Sequence, residues 1–463
     1  MIDVVRIETP SLGDRSYLVH DGEVGLVVDP QRDIDRITAL AAGLGVRITH
    51  VAETHMHNDY VSGGLALSRT CAASYLVGAC EPAGFARTPV RDGDSVEVSD
   101  AFLVRVAATP GHTFNHLAYV LEAGGEVTGV FTGGSLLFGS TGRTDLLGAD
   151  HAAALARAQH ASARRLAREL PDSAEVFPTH GFGSFCAATQ AAAQSSTIGQ
   201  EKLANHALTL DEEAYAEALL AGLDAWPAYY AHMGPANLAG AEAPDLSPPR
   251  RASAAELRVR IDAGEWVVDL RDRVAFAAGF LPGSFSFPLD GSFATYLGWL
   301  LPPGAQVILL GQTPEQVARA QRELVRIGVD RPAAAATGTP GDWAAGQPLA
   351  SLRLARFSDL ATAMERRDAA PPVVLDVRRR LEWEAEHIDG AVHIPLHDLA
   401  ERLDEIPPGE VWVHCRTGYR STVAASLLAA RGRDVVGIDD EIDNAAAAGL
   451  PVVANQAEEA QQR

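Results

Sequence analysis

The chain contains few cysteines and few aromatic residues, and no apolar run approaches the roughly 20 residues that a membrane span needs. Four cysteines in 463 residues are too few for a disulfide scaffold, which favours a reducing compartment. Basic residues are also scarce, because 38 Lys and Arg stand against 60 Asp and Glu and give a net charge of −22. Contacts to phosphate groups need clustered Lys and Arg, so this balance argues against nucleic-acid binding.

The amino-terminal segment MIDVVRIETP mixes charged with apolar residues and has no continuous apolar core of the kind found in a signal peptide. We therefore expect a cytoplasmic protein that is not associated with a membrane. At roughly 150 residues per domain, the length suggests about three domains.

Residues 1–235 alternate short β-rich segments with helical ones. Strands are predicted at Ile48–Glu53, Val127–Thr132 and Glu175–Pro178, and a long helix at about Asp150–Leu170. This alternation is typical of an α/β sandwich. Residues 236–252 are rich in Pro, Gly and Ala and lack periodicity, which predicts a linker.

The rest of the chain contains an internal repeat. VVDLRDR at Val267–Arg273 resembles VLDVRRR at Val374–Arg380, and QVILLGQTPEQ later aligns with EVWVHCRTGYR at a similar offset. Each copy has the pattern strand, helix, extended segment, apolar strand, loop and helix. We therefore predict two α/β domains with parallel sheets, the first repeat at 253–350 and the second repeat at 355–457.

A cysteine in the second repeat has the surroundings of a reactive thiolate. Cys415 lies between the apolar strand Val411–Val413 and a helix predicted to begin near Arg420, and the unpaired N–H groups of that helix favour thiolate over thiol. Gly418 lets the loop backbone curl around an anion. Arg416 and Arg420 add positive charge that would attract an anionic sulfur donor.

The loop Cys415-Arg416-Thr417-Gly418-Tyr419-Arg420 resembles the active-site loop of the rhodanese family of sulfurtransferases. The segment HIDGA at His387–Ala391 resembles a further motif of that family. The resemblance implies that Cys415 carries a persulfide between donor and acceptor, with Arg416 and Arg420 beside it and Thr417, Gly418 and Tyr419 forming the substrate loop. The first repeat has Gly311 at the position of Cys415, so it resembles an inactive rhodanese domain.

Histidines that follow predicted strands indicate a second candidate site. His55 and His57 are two residues apart, so in extended backbone they would share one face. His112 and His180 occur at two further strand-to-loop junctions, and Asp59 is near the first pair. Because imidazoles near carboxylates are the usual ligands of Zn or Fe, these residues predict a metal site.

The segments H-x-H-x-D, TPGHT, FTGGSLLFG with GRTD, and FPTHG resemble the metallo-β-lactamase fold across residues 1–235. Together with the C-terminal repeats, the whole chain resembles fusions of a persulfide dioxygenase with rhodanese domains. That resemblance implies a mononuclear iron that oxidises a glutathione-type persulfide to sulfite. It assigns the iron ligands to His55, His112 and, at the third position, Gly134.

The third position departs from the family, because Gly134 stands where relatives have an aspartate and glycine has no ligand atom. Tyr60 likewise replaces the second histidine of H-x-H-x-D-H, which argues against a dinuclear zinc site. Three alternatives stay open: His57 completes a three-histidine set with His55 and His112, a carboxylate such as Asp59 moves in, or no metal is tightly bound. The residues concerned are His55, His57 and His112, with Asp59 and His180 as further candidates.

We predict an enzyme of sulfur metabolism, with a persulfide dioxygenase-like first domain of altered metal site and sulfur transfer through Cys415. The predicted cofactor is one iron per chain, with zinc as the alternative, and the predicted substrates are a thiol persulfide, thiosulfate or sulfite. One alternative function is a zinc-dependent ester or thioester hydrolase fused to a rhodanese. Another is a metal-free scaffold with sulfurtransferase activity only. A homodimer is a family expectation.

Overall fold

A computed structural model, which describes residues 2–188, 193–366 and 370–454, divides the chain into two compact units. The first unit comprises Met1–Asp245 together with Arg322–Asp330. The second comprises Leu246–Gln321 and Arg331–Arg463. The final residues of the predicted second repeat, 455–457, lie outside the described residues.

The first unit contains a six-stranded and a five-stranded sheet. The six-stranded sheet has the order β1 to β6, with β1 Asp3–Thr9, β2 Asp14–His20, β3 Val24–Val28, β4 Arg47–Ala52, β5 Ser74–Gly78 and β6 Thr88–Val90. The other has the order β11-β10-β9-β8-β7, with β7 Ser95–Ser99, β8 Phe102–Ala108, β9 Leu117–Ala123, β10 Glu126–Gly133 and β11 Glu175–Pro178. The helices are α1 Asp35–Leu44, α2 Gly64–Cys71, α3 Ala149–Glu169, α4 Ile198–Ala204, α5 His206–Thr209, α6 Glu212–Ala221 and α7 Tyr230–Ala239.

Successive residues of a strand point to opposite faces of its sheet, and here both faces carry apolar residues. The two sheets can therefore pack face to face. Tyr17 of β2, Phe131 of β10 and Phe177 of β11 meet between the sheets, with ring centroids 5.1–5.4 Å apart. The neighbouring residue Leu18 points to the other face and packs with Ile37 of α1. Helices therefore cover both outer faces, and the predicted αββα sandwich is confirmed.

The loops that carry the predicted metal-site histidines follow the carboxyl ends of strands. β3 runs parallel to β4, and β10 runs parallel to β11, so their carboxyl ends meet at one edge of each sheet. Sequence reasoning missed β2, which begins at Asp14 and is buried along all seven residues. The first three residues of this strand, DRS, are charged or polar but buried, so the sequence there does not look like a buried strand.

The second unit contains two parallel sheets. The first has the order β13-β12-β14-β15, with β12 Trp266–Asp269, β13 Phe285–Ser286, β14 Val307–Gly311 and β15 Ala334–Thr337. The second has the order β16-β21-β20-β17-β19, with β16 Arg353–Ala355, β17 Val373–Asp376, β19 Val392–His393, β20 Val411–His414 and β21 Val435–Ile438. A separate antiparallel pair joins β18 Glu386–Ile388 to β22 Val452–Ala454.

Helices connect these strands in the same sequence in both copies. The first sheet is accompanied by α8 Ala254–Asp262, α9 Arg273–Ala278, α10 Phe293–Leu300, α11 Pro314–Arg326 and α12 Pro340–Ala344. The second is accompanied by α13 Phe357–Met364, α14 Arg380–Ala385, α15 Tyr419–Ala429 and α16 Asn444–Ala447, with short 3₁₀ turns at Leu396–Asp398 and Leu403–Glu405. The shared strand order agrees with the repeat found in the sequence, and the precise domain limits stay predictions.

Two segments differ from the domain limits expected from sequence. Helix α7 continues to Ala239, so the first residues of the predicted linker at 236–252 are helical. Arg322–Asp330, inside the predicted first repeat, is part of the first unit. The physical reason is a buried ion pair, in which Arg326 Nη2 lies 2.7 Å from Asp33 Oδ2. None of the helices among the described residues is long and apolar enough to cross a bilayer.

The Arg326 pair yields a stability prediction. Arg326→Met removes the shortest ion pair of the buried Asp33 carboxylate and leaves Arg36 at 3.1 Å and Arg322 at 3.5 Å, so we expect a loss of about 3 kcal/mol in the free energy of unfolding of the first unit. Arg322→Met removes the partly exposed pair with Asp35 and the longer contact to Asp33, and it serves as the matched control, with a loss of at most about 1 kcal/mol. Differential scanning calorimetry measures both. Equal losses would contradict the assignment of Arg326 as the buried anchor.

Candidate functional site

Three histidines converge at the carboxyl ends of the strands of the first unit. His55 follows β4, His112 follows β8 and His180 follows β11, and all three are buried. Their ring nitrogens lie within 4.8 Å of one another, and the Nε2 atoms of His55 and His180 are 3.4 Å apart. Rings this close, each turning one nitrogen towards the others, are typical of a site for one metal ion.

The outer nitrogen of each ring is held by an oxygen atom. Nδ1 of His112 lies 2.7 Å from the Arg143 carbonyl, and Nδ1 of His55 lies 2.9 Å from the Thr54 hydroxyl. Nδ1 of His180 lies 2.9 Å from Asp14 and 3.1 Å from Asp59. Such outer contacts orient metal-binding histidines. Nε2 of His112 is buried and has no hydrogen-bond partner among the described residues, so this donor set fits a cation.

The protonation of these groups follows from burial and nearby charge. Burial lowers the pKa of His112 to about 3, and it also lowers the pKa of His55 well below the usual range. Burial alone lowers the pKa of His180, but the carboxylates of Asp59 and Asp14 raise it to about 10. Burial and the neighbouring Asp59 raise the pKa of Asp14 to about 8. The rings of His55 and His112 are therefore neutral and able to bind a metal, and the ring of His180 has a carboxylate behind it.

His57 faces a different set of partners from the one considered in the sequence. Its Nε2 lies 3.3 Å from Asp29, 3.2 Å from Glu53 and 3.0 Å from the Tyr60 hydroxyl. Burial lowers the pKa of His57, but the two carboxylates outweigh this and raise it to about 9. The structure thus groups His180, rather than His57, with His55 and His112. A second possible ligand group joins His57 to Asp59 and His180.

Gly134 has no room for the missing carboxylate. A Cβ atom at this position would overlap the ring of His112, and one at Gly142 would lie 2.6 Å from Nδ1 of the same ring. The imidazole of His112 is therefore packed between two glycine backbones. Arg143, which follows Gly142, makes two hydrogen bonds of 2.7 Å to Asp145, so the GRTD carboxylate holds the residue whose carbonyl contacts His112.

Several residues of the site were missed by sequence reasoning. They are brought close by the fold from positions far apart in the chain: Asp14, Asp29, Glu53, His116 and Asn237. Asn237 lies on α7 and donates hydrogen bonds to the carbonyls of His57 and Tyr60, which fixes the histidine loop. Among these residues, Asp29 and Glu53 could have been found from the sequence, since each directly follows an apolar strand.

Cys415 occupies the turn between β20 and α15. It is 2% exposed, and its Sγ accepts a hydrogen bond of 3.2 Å from the Gly418 N–H. Gly418 has φ 105°, a conformation that favours glycine, and it directly precedes α15. The hydroxyls of Ser421 and Thr422 both donate to the Gly418 carbonyl at 2.8 Å, so the first turn of the helix holds the loop.

The two arginines of this loop have different environments. Arg416 is exposed, and its carbonyl accepts a hydrogen bond from the Ile442 N–H. Arg420 is buried, and both ends of its guanidinium bond the carboxylate of Glu382 at 2.6 and 2.7 Å. Burial alone raises the pKa of Glu382, but Arg420 outweighs this and lowers it to about 2. No pattern in the sequence indicates that Arg420 is neutralised in this way.

Residues of the first repeat also reach this loop. The Tyr419 hydroxyl lies 3.4 Å from the Pro288 carbonyl, and the Tyr419 ring lies 5.6 Å from that of Tyr296 on α10. Trp299 of the same helix stacks on His397 with centroids 4.5 Å apart. Thr417 is exposed. A small cavity beside these residues is lined by Tyr296, Trp299, Leu300, Val377, Arg379, Leu396, His397 and Arg420.

Comparison with known proteins gives the class of each part. The rhodanese-like domain family matches residues 358–444. A metallo-beta-lactamase from Staphylococcus aureus subsp. aureus COL has a similar structure, with a TM-score of 0.65 and 26% identity over 73% of this chain and 99% of that chain. The chain therefore combines a metallo-β-lactamase fold with a C-terminal rhodanese-like domain.

Two curated relatives resemble part of the chain in sequence. The human mitochondrial persulfide dioxygenase ETHE1 is 27% identical over 208 residues, which is 44% of this chain and 75% of that protein. A hydroxyacylglutathione hydrolase of Rhizobium etli is 36% identical over 124 residues, or 26% of this chain and 46% of that protein.

The packing around Gly134 yields a prediction about the lost carboxylate. Gly134→Asp forces the His112 ring out of its place, so we expect a lower thermal midpoint, with a cost of about 3 kcal/mol, and reduced metal content. Gly43→Asp introduces the same charge where a Cβ meets nothing within 4 Å, and should leave the metal content unchanged. Elemental analysis and thermal unfolding measure the two effects. Higher metal content in Gly134→Asp, at unchanged stability, would contradict this account.

Proposed function

We propose that this chain is a two-centre enzyme of sulfur metabolism, in which Cys415 transfers sulfane sulfur and the histidine site acts on a thiol persulfide. The observation that carries the proposal is the Gly418 N–H directed at Cys415 Sγ, at the start of α15 in a rhodanese-like domain. Backbone donors and a helix N-terminus stabilise a sulfur anion in such a loop.

Sulfur transfer at Cys415 is a displacement at sulfur. The Cys415 thiolate attacks the outer sulfur of thiosulfate, a new S–S bond forms, the old S–S bond breaks, and its electron pair leaves on sulfite. With a thiol persulfide as donor, the leaving group is the thiolate of the carrier. The Gly418 N–H, which faces Sγ, stabilises the negative charge before attack and on the resulting persulfide. An acceptor nucleophile then attacks the outer sulfur of the Cys415 persulfide, the S–S bond breaks, and the thiolate is restored.

In the first unit, His55, His112 and His180 would hold one metal ion through the nitrogens that face one another. Iron bound there supplies the redox chemistry by which dioxygen oxidises a persulfide sulfur to sulfite. Asp14 and Asp59 hold the outer nitrogen of His180, and Arg143 holds that of His112, so the rings keep their orientation during turnover. The 27% identity to a persulfide dioxygenase supports iron over zinc.

A zinc-dependent thioester hydrolase is the second candidate for this site. It is favoured by the 36% identity to a hydroxyacylglutathione hydrolase over 124 residues. Hydrolysis would need the histidines to hold zinc, which accepts three imidazoles and an open position. The two candidates differ in their need for dioxygen.

Variants of the two centres test the proposal separately. We expect His180→Ala to lose most bound iron and the uptake of oxygen that glutathione persulfide induces, because one of three ligands is gone. Cys415→Ser should keep both and lose sulfur transfer from thiosulfate to cyanide, since serine forms no persulfide. His50→Ala, a half-buried histidine outside the trio, is the matched control for His180→Ala. Inductively coupled plasma mass spectrometry and an oxygen electrode provide the readouts.

The outcomes distinguish the candidates. One zinc per chain without persulfide-dependent oxygen uptake would replace the dioxygenase by the hydrolase. Metal far below one per chain after expression with added iron would overturn both. Sulfur transfer that survives Cys415→Ser would overturn the role of Cys415.

A further inference from the structure

The Cys415 centre needs a cation for an anionic substrate, and its buried arginine is not available. Both Nη atoms of Arg420 bond the Glu382 carboxylate, at 2.6 and 2.7 Å, so its fork is fully used. A guanidinium that binds a thiosulfate or sulfite ion must therefore come from another arginine near the loop.

Arg273 lies on that rim and belongs to the first repeat. It is the first residue of α9, and its Nε donates a hydrogen bond of 2.6 Å to Oδ1 of Asp439. Asp439 in turn lies directly against Gly418, and a Cβ on Gly418 would be 3.2 Å from Arg273 Nε. The guanidinium is thus beside the residue whose N–H reaches Cys415 Sγ.

The terminal nitrogens of Arg273 remain free to bind a ligand. Its side chain is 33% exposed, and within the described part of the chain Asp439 is the one hydrogen-bonding partner of the guanidinium. A guanidinium fixed at Nε presents its two Nη groups as a planar fork, which matches the oxygens of an oxyanion.

Carboxylates surround Arg273. Asp439 is bonded to it, and Asp272 and Asp290 are near enough for their charges to act on it. Asp290 also acts on Tyr419, a residue of the cysteine loop. Without Arg273 this part of the rim would therefore present three carboxylates, and their repulsion would weaken the binding of an anion.

We propose that Arg273 determines specificity at the Cys415 centre, where its Nη groups bind the oxygens of the –SO₃ group of thiosulfate or sulfite. The inference rests on the proposed sulfur transfer. Thiosulfate as donor and sulfite as acceptor or product share this group, so one subsite serves both directions. Asp439 is a positioning residue, because it acts through Arg273.

The test compares a charged with an uncharged donor in the full-length protein, with cyanide as acceptor. Arg273→Gln should raise the KM for thiosulfate about tenfold, as expected for loss of a hydrogen-bonded charge, and leave kcat within about twofold. The KM for hydroxyethyl persulfide, whose organic part is uncharged, should change less than about twofold because that part makes no use of the guanidinium. Arg273→Lys keeps the charge but not the planar pair of Nη groups, so its KM for thiosulfate should lie between those of the wild type and Arg273→Gln.

Arg258→Gln is the matched control, since Arg258 is an exposed arginine of the first repeat and its loss changes the net charge equally. An unchanged KM for thiosulfate in Arg273→Gln, or an equal rise for both donors, would overturn the inference. So would an equal effect in Arg258→Gln, which would indicate general electrostatics. If the wild type transfers sulfur from neither donor, the proposed function itself fails, and the inference fails with it.

Discussion

The carboxylate of Asp29 connects the loops from which the histidine site is built. It accepts hydrogen bonds from the Thr54 N–H at 2.7 Å, from the Thr54 hydroxyl at 2.8 Å and from the Thr179 hydroxyl, and it faces His57 at 3.3 Å. Asp29 adopts φ 51°, in the left-handed region that costs energy for most residues but is tolerated by aspartate. Burial raises its pKa, but His57 and the hydrogen bonds keep it below its usual value.

An ionised carboxylate away from water is stable only when its oxygens are hydrogen-bonded, and this requirement joins three strand ends. The loop after β4 carries His55, and the loop after β11 carries His180, next to Thr179 in sequence. The loops can satisfy Asp29 only by approaching one another. The distance between the two histidines is therefore a consequence of one buried charge.

The sequence was sufficient where the signal is local. The two-layer sandwich, the parallel repeats and the cysteine turn all follow from periodicity or from a contiguous motif, since neighbouring residues determine a strand, a helix start or a tight loop. The sequence singled out His55, His57, His112 and His180, but not their grouping in the structure or the buried acidic residues around them. A spacing of two places His55 and His57 on one face only in extended backbone, whereas residues 54–60 form an irregular loop, so the two rings have different partners.

Contacts between distant segments could not be predicted. Glu382 neutralises Arg420 across 38 positions, and Asn237 secures a loop nearly 180 residues earlier. No local pattern encodes such pairs, because the fold has to form before the partners meet. β2 was missed for a related reason: its polar first residues are buried because Asp14 is a partner of His180.

The packing of His112 against Gly134 has an evolutionary consequence. The imidazole fills the space that a Cβ atom at position 134 would take. A single change of the codon to aspartate would meet an occupied site, so a carboxylate could be gained there only after the ring had first moved away. Mutations of this chain can therefore refine the existing nitrogen donors more readily than they can add an oxygen ligand at this position.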